Sequence, residues 1–503
     1  MHIFTRSLVS TILLLTATSA TPIPHDGSHE PSPTTSDTAA PSAHPTTYSN
    51  YIFRFPKASS NGAKVNTSEI LTSLAPHGFN ISHLHHTFSE TMNGFAAHMS
   101  DHCVNILKEM ESGVIIEPVV TYKAQAPFAT PSPVFTNLDG FTLGAGVNTN
   151  PAAPKKTAPA PAPSPSQRVV LLQQDATWGL QRLSQQEPIP MKYSDPDSKV
   201  TSQTFNYTFD QSSGENVDIY IIDTGINVAH KDFNGRARIE FVAETLSSNP
   251  AEGTDDHAGH GTHCAGTTAS SHFGVAKKAT IHAIKIMGKT GGGLSSDIAA
   301  GIEAMLKRHN ERMKDPNFRG SVASMSFGLD VPDEQLDNQS FASNSPALEK
   351  AIMVANAAGI HTVIAAGNQG IDACRVSPAL LSRQVEPEYN YTASVITVGA
   401  TNIYDNRADF SNYGKCITTY APGVSILSTY IGDDEATTVM QGTSMATPHV
   451  AGMVAYLLGV KPELKKDVVR MKKLIMNMAT KGSLTNIKDK TDTKILAYNG
   501  IDN

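Results

Sequence analysis

Five short runs of apolar, mostly β-branched residues constrain this chain more than any other feature: VDIYIID (217–223), TIHAIKIM (280–287), SVASMSF (321–327), HTVIAAG (361–367) and SVITVGA (394–400). They are near-continuously apolar, so each strand has to be covered on both faces. That condition is met by a parallel sheet lying between layers of helix. The intervening segments supply the helices. Ser345 can cap one that has Pro346 at its first position and Gly359 just past its end. A second begins at Ser295 or Ser296 and sets Ile298, Ile302, Met305 and Leu306 on one face. The expected fold is therefore α/β, a mostly parallel sheet with helices on both faces, over residues 178–503. In such sheets chemistry collects beyond the carboxyl ends of the strands.

The 503 residues exceed one ordinary domain, and the pattern upstream is different. Residues 1–20 carry His2 and Arg6, an apolar run from Leu8 to Leu15 and small residues at a cleavable end, which reads as a signal peptide. The Pro/Ser/Thr-rich stretch 21–47 has too little apolar surface to order itself. Residues 48–124 return to β-like runs (YIFRF, NGFAAHM, VIIEPVVTY) and helical stretches around Ile70 and Ile106, which makes a small α+β unit. Residues 125–177 contain APAPAPSPS and read as an extended Pro/Ala-rich linker. The apolar stretch from Met453 to Val460 stops at Lys461, too short to span a bilayer, so no membrane partner is expected. The net charge of −7 comes without basic blocks, which excludes nucleic acid as a partner. An export signal implies the secretory pathway, with either the cell exterior or a lytic vacuole as destination. It also makes the sequons at Asn66, Asn80, Asn206, Asn338 and Asn390 usable for glycosylation, and lets the cysteines Cys103, Cys264, Cys374 and Cys416 pair in any of three ways.

Four residues stand where the sheet model puts chemistry. Asp223 ends the first run, in IIDTG. His260 opens a glycine-flanked helix in GHGTHCAG; His263 competes for its role, and His263 and Cys264 lie one turn on, packed inward, with Cys264 a buried unpaired thiol. Ser444, in GTSMATPHVAG, stands at the positive end of a helix, and Pro448 four residues later has no N–H to offer the Ser444 carbonyl. Asn368 follows HTVIAAG, where its amide can donate to a developing oxyanion together with the Ser444 N–H. An esterase of the α/β-hydrolase type is opposed by Ala446, which replaces the second glycine of the nucleophile elbow, and by the serine coming last. A peptide-binding protein without activity is opposed by the presence of all four groups.

Together, GHGTHCAG, AAGN and GTSMATPHVAG resemble the subtilisin-like (subtilase) family, in its proteinase K and cerevisin-like fungal branch, across residues 178–503. The resemblance implies a serine endopeptidase of broad specificity acting through an acyl-enzyme, with Asp223, His260 and Ser444 as the catalytic triad and Asn368 in the oxyanion hole. It implies that Gly291, Gly292, Gly293 and Leu294 on one side, and Ser326, Phe327 and Gly328 on the other, clamp an extended peptide. Ala365, Ala366 and Gly367 would wall an uncharged first pocket suited to bulky apolar or aromatic residues. It further implies a Cys374–Cys416 disulfide with Cys103 single, and residues 48–124 as an inhibitor-type pro-domain whose tail occupies the cleft of a self-processing, monomeric zymogen. No cofactor is required for catalysis and no metal ligands are assigned. Structural calcium is left open, because Thr418 stands where the proteinase K-like branch has an aspartate ligand.

Overall fold

The computed structural model describes residues 47–56, 65–110, 113–125, 169–195, 197–331, 346–383 and 394–501, and from Thr47 onward these form one compact unit. The expected signal peptide, the 21–47 segment up to residue 46, Ser345, Asn338, Asn390 and most of the expected linker lie outside the described residues.

The first strands are β1 (Tyr48–Phe55), β2 (Leu84–Phe88), β3 (Asn93–Ser100) and β4 (Ile115–Pro118), in a four-stranded sheet ordered β2-β3-β1-β4. Period-two alternation divides its faces. Phe53, Phe95, Ala97 and Met99 pack under the helices Thr67–Leu74 and Asp101–Met110. Ile52, Phe88 and Ala96 turn the other way, into a second apolar layer with Ala299, Ala300 and Ala347 of the larger body. The chain then runs through Val119 and Val120 into β5 (Thr121–Ala124), which leaves this sheet.

Next come β6 (Val170–Ala176), β7 (Phe205–Asp210), β8 (Val217–Asp223), β9 (Ala237–Val242), β10 (Thr280–Lys285), β11 (Gly292–Leu294), β12 (Gly320–Met325) and β13 (Phe327–Asp330). They are followed by β14 (His361–Ala365), β15 (Val376–Ser377), β16 (Ile396–Thr401), β17 (Thr419–Pro422), β18 (Ile426–Thr429), β19 (Thr437–Met440), β20 (Thr480–Lys481) and β21 (Ile495–Leu496). The main sheet has nine strands, ordered β20-β21-β17-β16-β14-β12-β8-β10-β9, and every pairing from β9 to β21 is parallel. The five apolar runs supply β8, β10, β12, β14 and β16, buried throughout except at Thr280, the first residue of β10. The helices His260–Ala269 and Thr443–Val460 share one apolar core with one face of the sheet, while Ser295–Arg312 and Pro346–Ala357 share another with the opposite face.

Two sequence expectations are corrected here. Residues 125–177 are not all linker: β6 pairs antiparallel with β7, burying Gln173 and Ala176, so the larger folded body includes residues from 169 and not only from 178. The apolar VVLL of this strand abuts the Pro/Ala tract, whose composition masked it. The run SVASMSF is also not one strand. The chain leaves the main sheet at Ser326, and β13 joins a separate sheet ordered β11-β5-β13-β15. Cys374 and Cys416 form a disulfide with a Cα–Cα distance of 5.3 Å, and Cys103 and Cys264 are buried free thiols. Asn66, Asn80 and Asn206 are exposed. Among the described residues no helix is long and apolar enough to cross a membrane.

Candidate active site

The carboxyl ends of β8 and β14 and the first turns of two helices meet at one rim. Asp223, the last residue of β8, is held by its own main chain: its carbonyl accepts from Ile286 N and Met287 N at 3.0 and 3.2 Å. The next carbonyl, Thr224 O, accepts from the buried Lys285 ammonium at 2.8 Å. The Asp223 carboxylate accepts from Thr224 N at 2.7 Å and meets His260 Nδ1 at 2.7 Å. Both side chains are buried.

The helix bearing His260 is fastened to that strand end by Asp256, whose carboxylate takes five donors. Oδ1 accepts from Thr224 Oγ1, Ala258 N and Gly259 N at 2.8–3.0 Å, and Oδ2 accepts from Thr262 N and Oγ1 at 2.9 and 2.7 Å. Thr224 Oγ1 in turn accepts from Gly261 N at 2.9 Å, closing a loop between the two catalytic candidates. The glycines around His260 serve this closure. A Cβ on Gly261 would stand 2.1 Å from Gly225 O, and one on Gly259, at φ +80°, would stand 2.3 Å from the Tyr430 ring. Burial disfavours the His260 imidazolium, but the Asp223 charge and hydrogen bond, with Asp256 behind them, outweigh it and hold the pKa above the ordinary value.

His263 is not a rival base. Its Nε2 donates to Ile426 O at 3.0 Å, and burial pushes its pKa down to about 3, so it is a neutral packing group. Cys264 is buried and burial pushes its thiol pKa up, so it is not a nucleophile. Asp223, His260 and Cys264 bring potential ligand atoms within 4.8 Å of one another, yet Asp223 Oδ1 and His260 Nδ1 are spent on each other.

Ser444 is the second residue of the helix Thr443–Val460. Because Pro448 withholds a donor, the Ser444 carbonyl is free for other partners, and it accepts from Ser326 Oγ at 3.1 Å, with Cys264 Sγ at 3.5 Å. The Ser444 hydroxyl donates to Ser326 O at 3.0 Å, and His260 Nε2 has no hydrogen-bond partner among the described residues. The structure thus pairs Asp223 with His260 and leaves the serine hydroxyl turned to its neighbour.

Asn368 lies three residues past β14. Its Oδ1 accepts from Thr443 N and Oγ1 at 2.9 and 3.0 Å, which fixes the amide and aims Nδ2 outward. Nδ2 donates to the carbonyl oxygen of Gln125, and Ser444 N points at the same oxygen at 3.4 Å. That carbonyl is delivered by β5, which lies as the middle strand between β11 and β13. Gly292, Gly293 and Leu294 pair antiparallel with Lys123, Tyr122 and Thr121, and Phe327 and Gly328 with Ala124 and Lys123. Ala124 N donates to Gly291 O and Gln125 N to Ser326 O, both at 2.9 Å. Ala365 and Ala366 are wholly buried. Asn412 holds the Ala366 carbonyl at 2.8 Å and Gly367, at φ +102°, through its own N–H at 3.1 Å. The side chain delivered here is a polar amide: Gln125 Oε1 lies 3.5 Å from Gln369 Nε2.

Sequence reasoning named the residues that β5 pairs with on either side, and Asn368, which contacts the Gln125 carbonyl, but not Gln125, Asp256, Thr224 or Thr443 as members of the site. Thr443 sits inside a quoted motif, while Gln125 looked like the first linker residue. At Thr418 the surroundings do not fit a calcium ion. Its hydroxyl accepts from Thr397 N at 3.1 Å and pairs with Ser382 Oγ at 2.9 Å, and the Lys472 ammonium, its pKa pushed down to about 8 by burial, lies 3.1 Å from that same Ser382 hydroxyl. Neutral hydroxyls beside a resident cation lack the anionic oxygens that Ca²⁺ requires.

A parallel sheet with Asp, His and Ser at its rim and an anchored asparagine defines a class, and comparison with known proteins agrees with it. Residues 214–498 match the profile described as "Subtilase family", and the chain belongs to that family. It is 40% identical over 341 residues to cerevisin of Saccharomyces cerevisiae, covering 65% of this chain and 47% of that protein. It is 39% identical over 343 residues to alkaline protease 2 of Aspergillus fumigatus, covering 65% of this chain and 61% of that protein. The match thus spans about half to three-fifths of the length of these relatives. A cold-adapted subtilisin-like serine proteinase of known structure is 31% identical, with a TM-score of 0.49, covering 65% of this chain and 98% of that one.

Proposed function

We propose that this chain is the zymogen of a serine endopeptidase of broad specificity that cuts its own backbone after Gln125. One observation carries the reading: a peptide carbonyl of the chain itself accepts from both Asn368 Nδ2 and Ser444 N, the donor pair that would stabilise a tetrahedral oxyanion. The Ser444 hydroxyl turns from Ser326 O to His260 Nε2, gives up its proton and attacks the Gln125 carbonyl carbon. Asp223 holds the imidazole in the tautomer that leaves Nε2 free and stabilises the imidazolium. His260 then protonates the departing amine of residue 126, and water releases the acyl-enzyme by the same steps in reverse roles. Because β11 and β13 grip the peptide through its main chain, substrates are proteins and peptides of varied sequence.

Residues 48–125 act as the chain's own inhibitor, β5 blocking the cleft until the detached unit leaves. The mature enzyme works as a monomer without a catalytic cofactor. Passage through the secretory pathway, to the exterior or a lytic vacuole, fits the leader-like residues 1–20, the disulfide and the exposed sequons. The test is Ser444→Ala expressed in a protease-free host. The chain is expected to remain uncut after Gln125 and to lack activity on casein, while the unchanged chain gives mature enzyme whose first cut is located by N-terminal sequencing. Detached mature-sized protein from Ser444→Ala would overturn self-processing.

A further inference from the structure

The side chain of Tyr122 is wholly buried, although it belongs to a strand laid across the surface cleft. Counting back from the bond after Gln125, it is the fourth residue on the amino side. Strand alternation turns Thr121 and Lys123 to solvent and drives Tyr122 into the second apolar core, edge-on to Phe327 with ring centroids 5.8 Å apart at 85°. At the bottom of that socket the lining is polar. Tyr122 Oη lies 2.9 Å from Ser377 Oγ, and Ser377 Oγ donates to Glu349 Oε1 at 2.7 Å. All three residues are buried, Glu349 being 6% exposed and the other two fully enclosed.

The chain of bonds has a direction. The Ser377 proton is committed to the Glu349 carboxylate, so Ser377 Oγ offers a lone pair, and the phenol is the donor. Two separate elements hold this acceptor in place. Ser377 is in β15, opposite Leu329 of β13, and Glu349 is in the helix Pro346–Ala357. Apolar burial would serve phenylalanine as well as tyrosine; an acceptor backed by a carboxylate serves only the hydroxyl.

We infer that Ser377 and Glu349 form a hydroxyl-reading site that selects tyrosine over phenylalanine at the fourth position before the scissile bond. The inference rests on the protease reading above and extends it to the class of substrate. Ser377 keeps its bond to Glu349 when no phenol arrives, so the discrimination is about tenfold, far short of the 10⁴–10⁵ of a site whose polar groups go wholly unpaired.

The test uses enzyme processed from the full chain and two peptides, one with the sequence Thr-Tyr-Lys-Ala-Gln before the cut and one with phenylalanine replacing its tyrosine. The Tyr/Phe ratio of kcat/KM is expected to be about ten. Ser377→Ala should bring it to within about twofold of one through loss on the tyrosine peptide, and Ser377→Thr, which restores a hydroxyl, should recover it. A ratio near one for the unchanged enzyme overturns the inference while leaving the protease reading intact, and needs no variant to fold. Cleavage of neither peptide overturns both.

Discussion

Beside the apolar layer and the β5 pairings, the 48–125 unit is tied to the larger body by one buried carboxylate that takes five donors, and replacing Glu303 by glutamine measures that tie. Glu303 lies in the helix Ser295–Arg312 and is 4% exposed. Its Oε1 accepts from Ser89 N and Glu90 N at 2.8 Å and from Ser89 Oγ at 3.2 Å, and Oε2 accepts from Thr91 N and Oγ1 at 2.8 Å. Glutamine has the same shape but turns an NH₂ toward one set of donors, stranding at least one main-chain N–H and leaving the other set a neutral acceptor. A stranded buried donor costs about 1–3 kcal/mol, and a bond that loses charge assistance about 1 kcal/mol. The loss is therefore about 3 kcal/mol, or roughly two orders of magnitude in the local opening equilibrium. Amide hydrogen exchange at Ser89, Glu90 and Thr91 in the full Ser444→Ala chain, with and without Glu303→Gln, reads that equilibrium directly. Protection changed by less than about threefold would refute the argument that this carboxylate carries the contact. The pH dependence has a defined sign. Although burial opposes the charge, the three main-chain donors and Thr91 Oγ1 hold the Glu303 pKa below its usual value. Its contribution is complete above the ordinary glutamate pKa and is lost as pH falls through the lowered one, so mild acidification does not release the unit through this group.

Two more outcomes follow from the site. Asn368→Ala should lower kcat by about 10²–10³ with little change in KM, a figure known for the equivalent donor in subtilisin and not one worked from this geometry; an unchanged kcat would remove Asn368 from the oxyanion role. Activity should fall as pH drops through the raised His260 pKa, above the ordinary imidazole value of about 6.5, because only the neutral ring accepts the serine proton. Asp256→Asn removes one of the charges that raise it, so the acid limb of kcat/KM should move to lower pH; a limb that stays or moves up would contradict the assignment.

What the sequence by itself determined was what short-range patterning can encode. Near-continuous apolar runs named the central strands β8, β10, β12, β14 and β16, since a strand covered on both faces needs apolar residues on each of them. The glycine-bounded motifs named Asp223, His260, Asn368 and Ser444, because sharp strand ends and helix starts need particular residues locally. Long-range partnerships decided the rest. Nothing near Gln125 in the chain marks its carbonyl as the one that Asn368 and Ser444 address, and the partners lie 243 positions apart for Asn368. Asp256 acquires its role only from the five donors that the fold assembles around it. Ser377 and Glu349, which are 28 residues apart, acquire meaning only with the Tyr122 hydroxyl brought against Ser377 by a strand pairing across the cleft. Propensity and periodicity act over a few residues; the geometry of a site is fixed by which distant surfaces the packed sheet brings together.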